Sequence, residues 1–337
     1  MSGAWQKGFS MLTMAILLAI TPHQATLVGA TAPAFQEQEQ RGERLRRWRE
    51  RRGEAGQGEG RRQQGQRLRN SPPADSIISF GEDPAQRILF YAAPPPAPNE
   101  RRRAPPLAVY IHGGGWAHGQ PEIVENKPAW FRQHGWAFAS LGYRLLPGAP
   151  VETQAADIGA ALRRLRTEAA RLGYDPDRIL LFGHSAGAHL TALVSADPQY
   201  AGDAFGAIRG AILIDGAAYD VAAQIARGGL MTRRTYIPAF GTDPARQRAL
   251  SPVTHAGGRD VPDWLLLYTS AREDAETQSR SLAAALDRSR VRTQLLEVPS
   301  QSSNQLIGHM EINRDFGTAG YAANDPVLAI MRRVAGH

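Results

Sequence analysis

Residues 178–182 (RILLF) form a charged start and a continuous apolar run that ends directly in Gly183-His184-Ser185-Ala186-Gly187, and residues 188–196 (AHLTALVSA) continue with helical character. A short run without polar alternation is a strand buried on both faces. A G-x-S-x-G pentapeptide between strand and helix must turn sharply, which lifts the serine hydroxyl off the sheet edge and leaves room only for small flanking residues. Further strand candidates stand at 88–91 (ILFY), 107–111 (LAVYI), 135–141, 211–214, 264–268 and 293–298. Between them, Ile158, Leu162, Leu165, Ala169 and Leu172 recur at helical spacing, and 279–289 is also helical in character. Apolar strands alternating with amphipathic helices predict an α/β fold: a mostly parallel central sheet with helices on both faces.

The 337 residues include no cysteine, which excludes a disulfide scaffold, thiolate metal sites, a cysteine nucleophile and a lipidated cysteine. The net charge of +7 suggests nucleic acid until it is located. Residues 1–34 carry one charge, Lys7, and residues 35–70 carry eleven Arg against six Glu, so the remainder is nearly neutral. A neutral body has no field for tracking a phosphate backbone, and no nucleic-acid partner is expected. Residues 1–34 read as an export signal: Lys7, the apolar run Met11 to Ile20, then small residues at Val28-Gly29-Ala30 and Ala32-Pro33-Ala34. That run is too short to span a bilayer. The expected destination is periplasmic or extracellular. Residues 35–75, rich in Gln, Arg, Glu and Gly, read as a disordered linker. Weak association of 35–70 with an anionic envelope surface is a second possibility, opposed by the interspersed glutamates. The catalytic domain is expected to occupy 76–337.

A second motif, His112-Gly113-Gly114-Gly115-Trp116, also follows a strand candidate. A run of glycines lets backbone N–H groups face a cleft without side chains in the way. Together with the N–H of Ala186, at a helix start that favours negative charge, the N–H groups of this run can make an oxyanion hole. Each such donor typically contributes on the order of 3 kcal/mol to the transition state. A serine nucleophile also needs a base and a group that orients the base. After Ser185 the histidines are His189, His255, His309 and the terminal His337. His189 falls in the helix after the serine and reads as a packing residue. His309 follows the last strand, at the end of a loop over 299–308, and is the expected base. For the acid, Glu273 and Asp274 follow the strand at 264–268, and Asp274 is preferred because a helix start fixes it. Asp157 precedes the serine, and Asp215 and Asp220 follow an earlier strand, so all three are weaker candidates.

These residues together resemble the α/β-hydrolase superfamily, in the esterase–lipase branch with an HGGGW-type oxyanion motif. The resemblance covers about 76–335 and draws on Gly142-Tyr143-Arg144-Leu145, Ser251-Pro252 and Gln278-Ser279 as well. GHSAGAHL at 183–190 is similar to the kynurenine-formamidase-like group. The resemblance implies a triad of Ser185, Asp274 and His309, with N–H donors from Gly114, Gly115 and Ala186. The segment 298–310 is longer and more polar than the family's usual approach to its histidine.

The expected function is a serine carboxylesterase acting on a small-molecule ester through an acyl-enzyme, with no cofactor and no metal. An arylformamidase or other amidase of the same fold is the alternative, and a non-catalytic envelope-binding protein a third possibility. Trp116 is expected to bind substrate. Tyr219, Tyr236, Ile237 and Phe240, in the insertion at 217–256, are candidate pocket walls. The sequence does not reveal the oligomeric state.

Overall fold

The sheet has eight strands: β1 (Ser76–Ser79), β2 (Arg87–Tyr91), β3 (Leu107–Ile111), β4 (Ala137–Leu141), β5 (Ile179–His184), β6 (Ile208–Ile214), β7 (Asp263–Thr269) and β8 (Arg292–Val298). Their order is β1-β2-β4-β3-β5-β6-β7-β8. Only β2 runs against its neighbours, and β3 through β8 are all parallel. The computed structural model describes Glu43 and residues 65–68, 70–95 and 103–336. The export segment expected at 1–34, and most of the linker expected at 35–75, lie outside these residues.

β3, β4, β5 and β7 are buried along their whole length, as strands covered on both faces must be. Alternate residues serve opposite layers. Val109, Leu181, Leu213 and Leu266 face one core, which includes Ile158, Leu162 and Leu165. Tyr110, Phe182, Ile212 and Leu265 face the other, with Phe131, Phe316 and Ile330. Burying each such side chain contributes about 1.5–3 kcal/mol. Seven helices matter below: α1 (Lys127–Gln133), α2 (Val151–Leu172), α3 (Ala186–Ala196), α4 (Val221–Ala226), α5 (Glu273–Leu286), α6 (Gln305–Arg314) and α7 (Asn324–Ala335). α2 is the helix expected from the spacing of Ile158 to Leu172. It stops at Gly173, whose φ of 77° suits glycine and whose N–H caps Ala169 O.

Two sequence expectations need correction here. The loop after β8 ends sooner than Gly308: Asn304 caps α6 by accepting from Leu306 N and Ile307 N, so His309 sits on a helix. The folded body also begins before Ser76. Ser71 Oγ accepts from Val124 N at 3.0 Å and Glu125 N at 2.9 Å, and Arg67 pairs with Glu125 at 2.7 Å. These anchors are polar, so hydrophobic patterning does not display them. Glu125 also lies 3.4 Å from Nζ of Lys127, which is 0% exposed. That Nζ donates to Asn313 O at 2.8 Å, tying α1 to the helix that carries His309. Burial, the largest influence, lowers the Lys127 pKa to about 8 despite Glu125.

Candidate active site

Ser185 stands between β5 and α3 with φ 57° and ψ −122°, a backbone conformation uncommon for a non-glycine residue. The pentapeptide tolerates it because its glycines meet backbone. A Cβ on Gly183 would stand 2.4 Å from Gly187 O, and one on Gly187 would stand 2.1 Å from Ile111 O. The strand β3, the elbow and α3 therefore pack without an intervening side chain.

The glycine loop from His112 lies against this elbow. A Cβ on Gly113 would fall 3.0 Å from Ser185 Cβ. Gly114 O accepts from Ala117 N and His118 N, closing the turn. Gly114 and Gly115 have φ of 131° and 60°. Among the described residues their N–H groups donate to no carbonyl. Ala186 is the first residue of α3, so its N–H has no partner within the helix. His112 braces the loop from below: its ring stacks on Tyr143 at 4.4 Å, and Tyr143 Oη donates to His112 O at 2.7 Å. Burial lowers the His112 pKa to about 4, so it is a neutral scaffold group at pH 7.

Trp116 is buried and takes φ 61°. Its ring lies 4.8 Å from Phe240, 5.3 Å from His189 and 6.0 Å from Tyr236. Two expected wall residues thus share one aromatic cluster with Trp116. His189 is fully buried, with Nε2 2.9 Å from Leu250 O, as a packing residue would be. Thr235 comes against the glycine loop, with its Cγ2 3.2 Å from where a Gly115 Cβ would stand.

His309 Nδ1 lies 2.6 Å from Oδ2 of Asp215, the residue after β6. Asp215 is 0% exposed. Its Oδ1 accepts from Thr269 N at 2.9 Å, and its own N–H donates to Leu267 O at 2.7 Å. Arg272 Nη1 approaches the same pair, at 2.9 Å from Asp215 Oδ2 and 2.8 Å from His309 Nδ1. Burial would push the Asp215 carboxyl up. The hydrogen bond to His309 and the Arg272 charge outweigh it and hold the pKa at about 2. With Asp215 ionised, the short contact is served by an Nδ1–H donating to it, which leaves Nε2 without the ring hydrogen; Arg272 Nη1, itself a donor, then makes no hydrogen bond to Nδ1. His184 stacks on His309 at 4.4 Å between ring centroids, and its Nε2 lies 2.9 Å from His309 O. Burial first, and His309 next, lower the His184 pKa well below the ordinary value, so Nε2–H acts as a neutral donor.

Asp274, the expected acid, is held elsewhere. Its Oδ2 accepts from Arg272 Nη2 at 2.9 Å and from Gln224 Nε2 at 3.2 Å, on α4. It makes no hydrogen bond to His309 among the described residues, and the Arg272 guanidinium bonds both carboxylates. Glu273 is mostly exposed and faces Arg227 at 3.7 Å. Sequence reasoning set Asp215 aside because it follows β6. The usable signal was the sheet itself: β6 adjoins the serine's strand, and a carboxylate at its end meets His309. Ser185 Oγ and His309 make no hydrogen bond in this structure. Among the described residues no group of three or more His, Asp or Glu could hold a metal ion, and no helix is long and apolar enough to cross a membrane.

The BD-FAE family model matches residues 96–203, which include the glycine loop and Ser185. Esterase LipC of Mycobacterium tuberculosis is 30% identical over 134 residues, covering 36% of this chain and 30% of the relative. Carboxylesterase NlhH of the same species is 37% identical over 94 residues, covering 27% of this chain and 28% of the relative. The chain thus matches less than a third of the length of either curated relative. Among solved structures, esterase B of Lactobacillus rhamnosis aligns with a TM-score of 0.64 at 23% identity, covering 84% of this chain and 94% of that one. Thermogutta terrifontis esterase 2 aligns with a TM-score of 0.57 at 22% identity, covering 78% and 91%. Sheet order and structural likeness agree on the α/β-hydrolase fold, and residues 96–203 are similar to the BD-FAE family.

Proposed function

We propose that the protein is a serine hydrolase that cleaves carboxylic esters through an acyl-enzyme. The observation that carries this reading is the elbow serine next in sequence to His184, whose ring stacks on His309, with His309 Nδ1 fixed on a buried, ionised Asp215 at 2.6 Å. Ser185 attacks the ester carbonyl as His309 Nε2 takes its proton. The resulting imidazolium is stabilised by Asp215, in the role first assigned to Asp274. The oxyanion is received by N–H groups of Gly114, Gly115 and Ala186. His309 then protonates the leaving alkoxide, and water, deprotonated by the same nitrogen, releases the acid and restores Ser185. Trp116, expected to contact substrate, is almost wholly buried against Phe240 and Tyr236, so this cluster supports the glycine loop from within.

The relatives' names support ester chemistry, and solved esterase B includes a form inhibited by a tributyrin phosphonate. The test is hydrolysis of p-nitrophenyl acetate, butyrate and octanoate by the purified chain, beside its Ser185→Ala variant. Turnover confined to the parent supports the reading. Equal turnover by parent and variant, or none by either on any ester, sinks it.

Export through residues 1–34, with 35–70 as a tether on the envelope side, belongs to the same reading. It predicts recovery of a shortened chain from the periplasm or medium. Recovery of the full chain from the cytoplasm alone would contradict it.

A further inference from the structure

The edge of the sheet opposite Ser185 carries a different chemistry. There, at the amino ends of the parallel strands, a recess of about 860 Å³ is lined by Arg103, Arg178, Arg209, Arg290, Arg292 and Arg333. Arg178 precedes β5, whose other end is Ser185. An extended strand of that length separates the two by roughly 20 Å, so the recess is no part of the catalytic cleft.

Ordinary structural duties account for only some of these guanidiniums. Arg178 is fully used: it donates to Asp175 at 2.7 Å, to Ala335 O at 2.6 Å and to Ala104 O. In doing so it already satisfies the carboxyl end of α7. Arg333 is paired with Asp263. Arg103 is largely exposed and only 3.6 Å from Asp175. Arg209 uses Nε alone, on Asp177 O at 3.1 Å. Arg290 and Arg292 make no side-chain hydrogen bond or ion pair among the described residues. Six arginines therefore share two carboxylates, Asp263 and Asp175, in a body that is nearly neutral overall. Holding like charges around one concavity opposes folding, and an anion of several charges relieves it. A planar guanidinium presents paired donors that match phosphoryl oxygens two at a time. Several such forks around a space of this size suit a ligand bearing more than one phosphoryl charge.

We propose that this arginine-lined recess is a binding site for phosphoryl groups, presented by a soluble oligophosphate or by a lipid headgroup. The proposal is independent of the esterase reading.

The experiment uses the full chain and an Arg290→Gln/Arg292→Gln variant, both remote from Ser185. Tripolyphosphate, titrated against sodium chloride of equal ionic strength, is expected to raise the parent's Tm by about 3 °C or more. The variant is expected to bind it at least about tenfold more weakly. Sedimentation with phosphatidylglycerol vesicles, beside phosphatidylcholine vesicles, is the lipid arm. Residues 35–70 are themselves arginine-rich, so only binding lost in the variant counts. A variant-sensitive response to tripolyphosphate identifies the soluble source, and one confined to phosphatidylglycerol identifies the headgroup. A response equal to that of chloride with no variant-sensitive vesicle binding overturns the proposal. So does phosphate binding that the variant leaves undiminished while its circular dichroism matches the parent's.

Discussion

The loops after β6 and β7 each deliver an aspartate to Arg272, yet they hold it differently. Asp215 is sealed from solvent, takes φ 48°, and has Oδ1 on Thr269 N–H and Oδ2 on His309. Asp274 stands in the first turn of α5 with its side chain 19% exposed, bonded to Arg272 and Gln224. A carboxylate orients an imidazole only when its own position is over-determined and one oxygen is left for the ring. The β6 loop meets both conditions. The β7 loop instead supplies Arg272, the cation that lets a buried Asp215 stay ionised.

The largest expected effect sets the floor for this comparison. Ser185→Ala should lower kcat for p-nitrophenyl butyrate by about 10⁴–10⁶-fold. Asp215→Asn comes next, at about 10³–10⁴-fold in kcat, because the amide imposes the wrong tautomer on His309. Steady-state kinetics on both aspartates breaks the comparison outright if Asp274→Asn is the more damaging. Arg272→Gln leaves two carboxylates uncompensated and should cost about 3–5 kcal/mol of stability, read by urea denaturation. An unchanged denaturation midpoint would show that Arg272 is not their counter-charge.

Acid stability sharpens the contrast further. The Asp215 carboxyl is lowered from 3.8 to about 2, so the stabilisation it gives is present above about pH 4 and is lost as pH falls toward 2. Its size is about 2 kcal/mol. His112 and His189 act in another window. Burial lowers both from 6.5 to about 4, so between those values the unfolded chain binds protons that the folded state refuses. Stability should therefore fall as pH drops from 6.5 to 4, before Asp215 titrates. Denaturation midpoints at pH 7, 5 and 3 separate the two steps, and Asp215→Asn should flatten only the lower one. Asp274→Asn is expected to have the smallest effect on turnover, under about tenfold, since it meets His309 only through Arg272.

Much of this was legible in the residue order. The six strands β2 to β7 are largely apolar because both faces of the sheet are covered there. The elbow was visible because glycine is the only residue that allows β3, β5 and α3 to approach so closely. β1 escaped notice: it is an edge strand in which only Ile78 is buried. The partner of His309 was hidden for a different reason. Asp215 and Asp274 each follow a strand, and chain order cannot show which carboxylate a guanidinium will occupy. The setting of His309 was misjudged, because a polar segment capped by Asn304 reads as loop until the cap is seen.

Beyond Lys7, Lys127 is the sole lysine in the chain. Its ε-amino group is enclosed beneath Tyr110 and Phe316, at 5.2 and 6.0 Å from their ring centroids. An amine-directed acylating reagent therefore finds no accessible lysine in the folded body until the layer between α1 and α6 opens. The rate at which Lys127 is labelled becomes a clock for that opening, timed at the helix that carries His309.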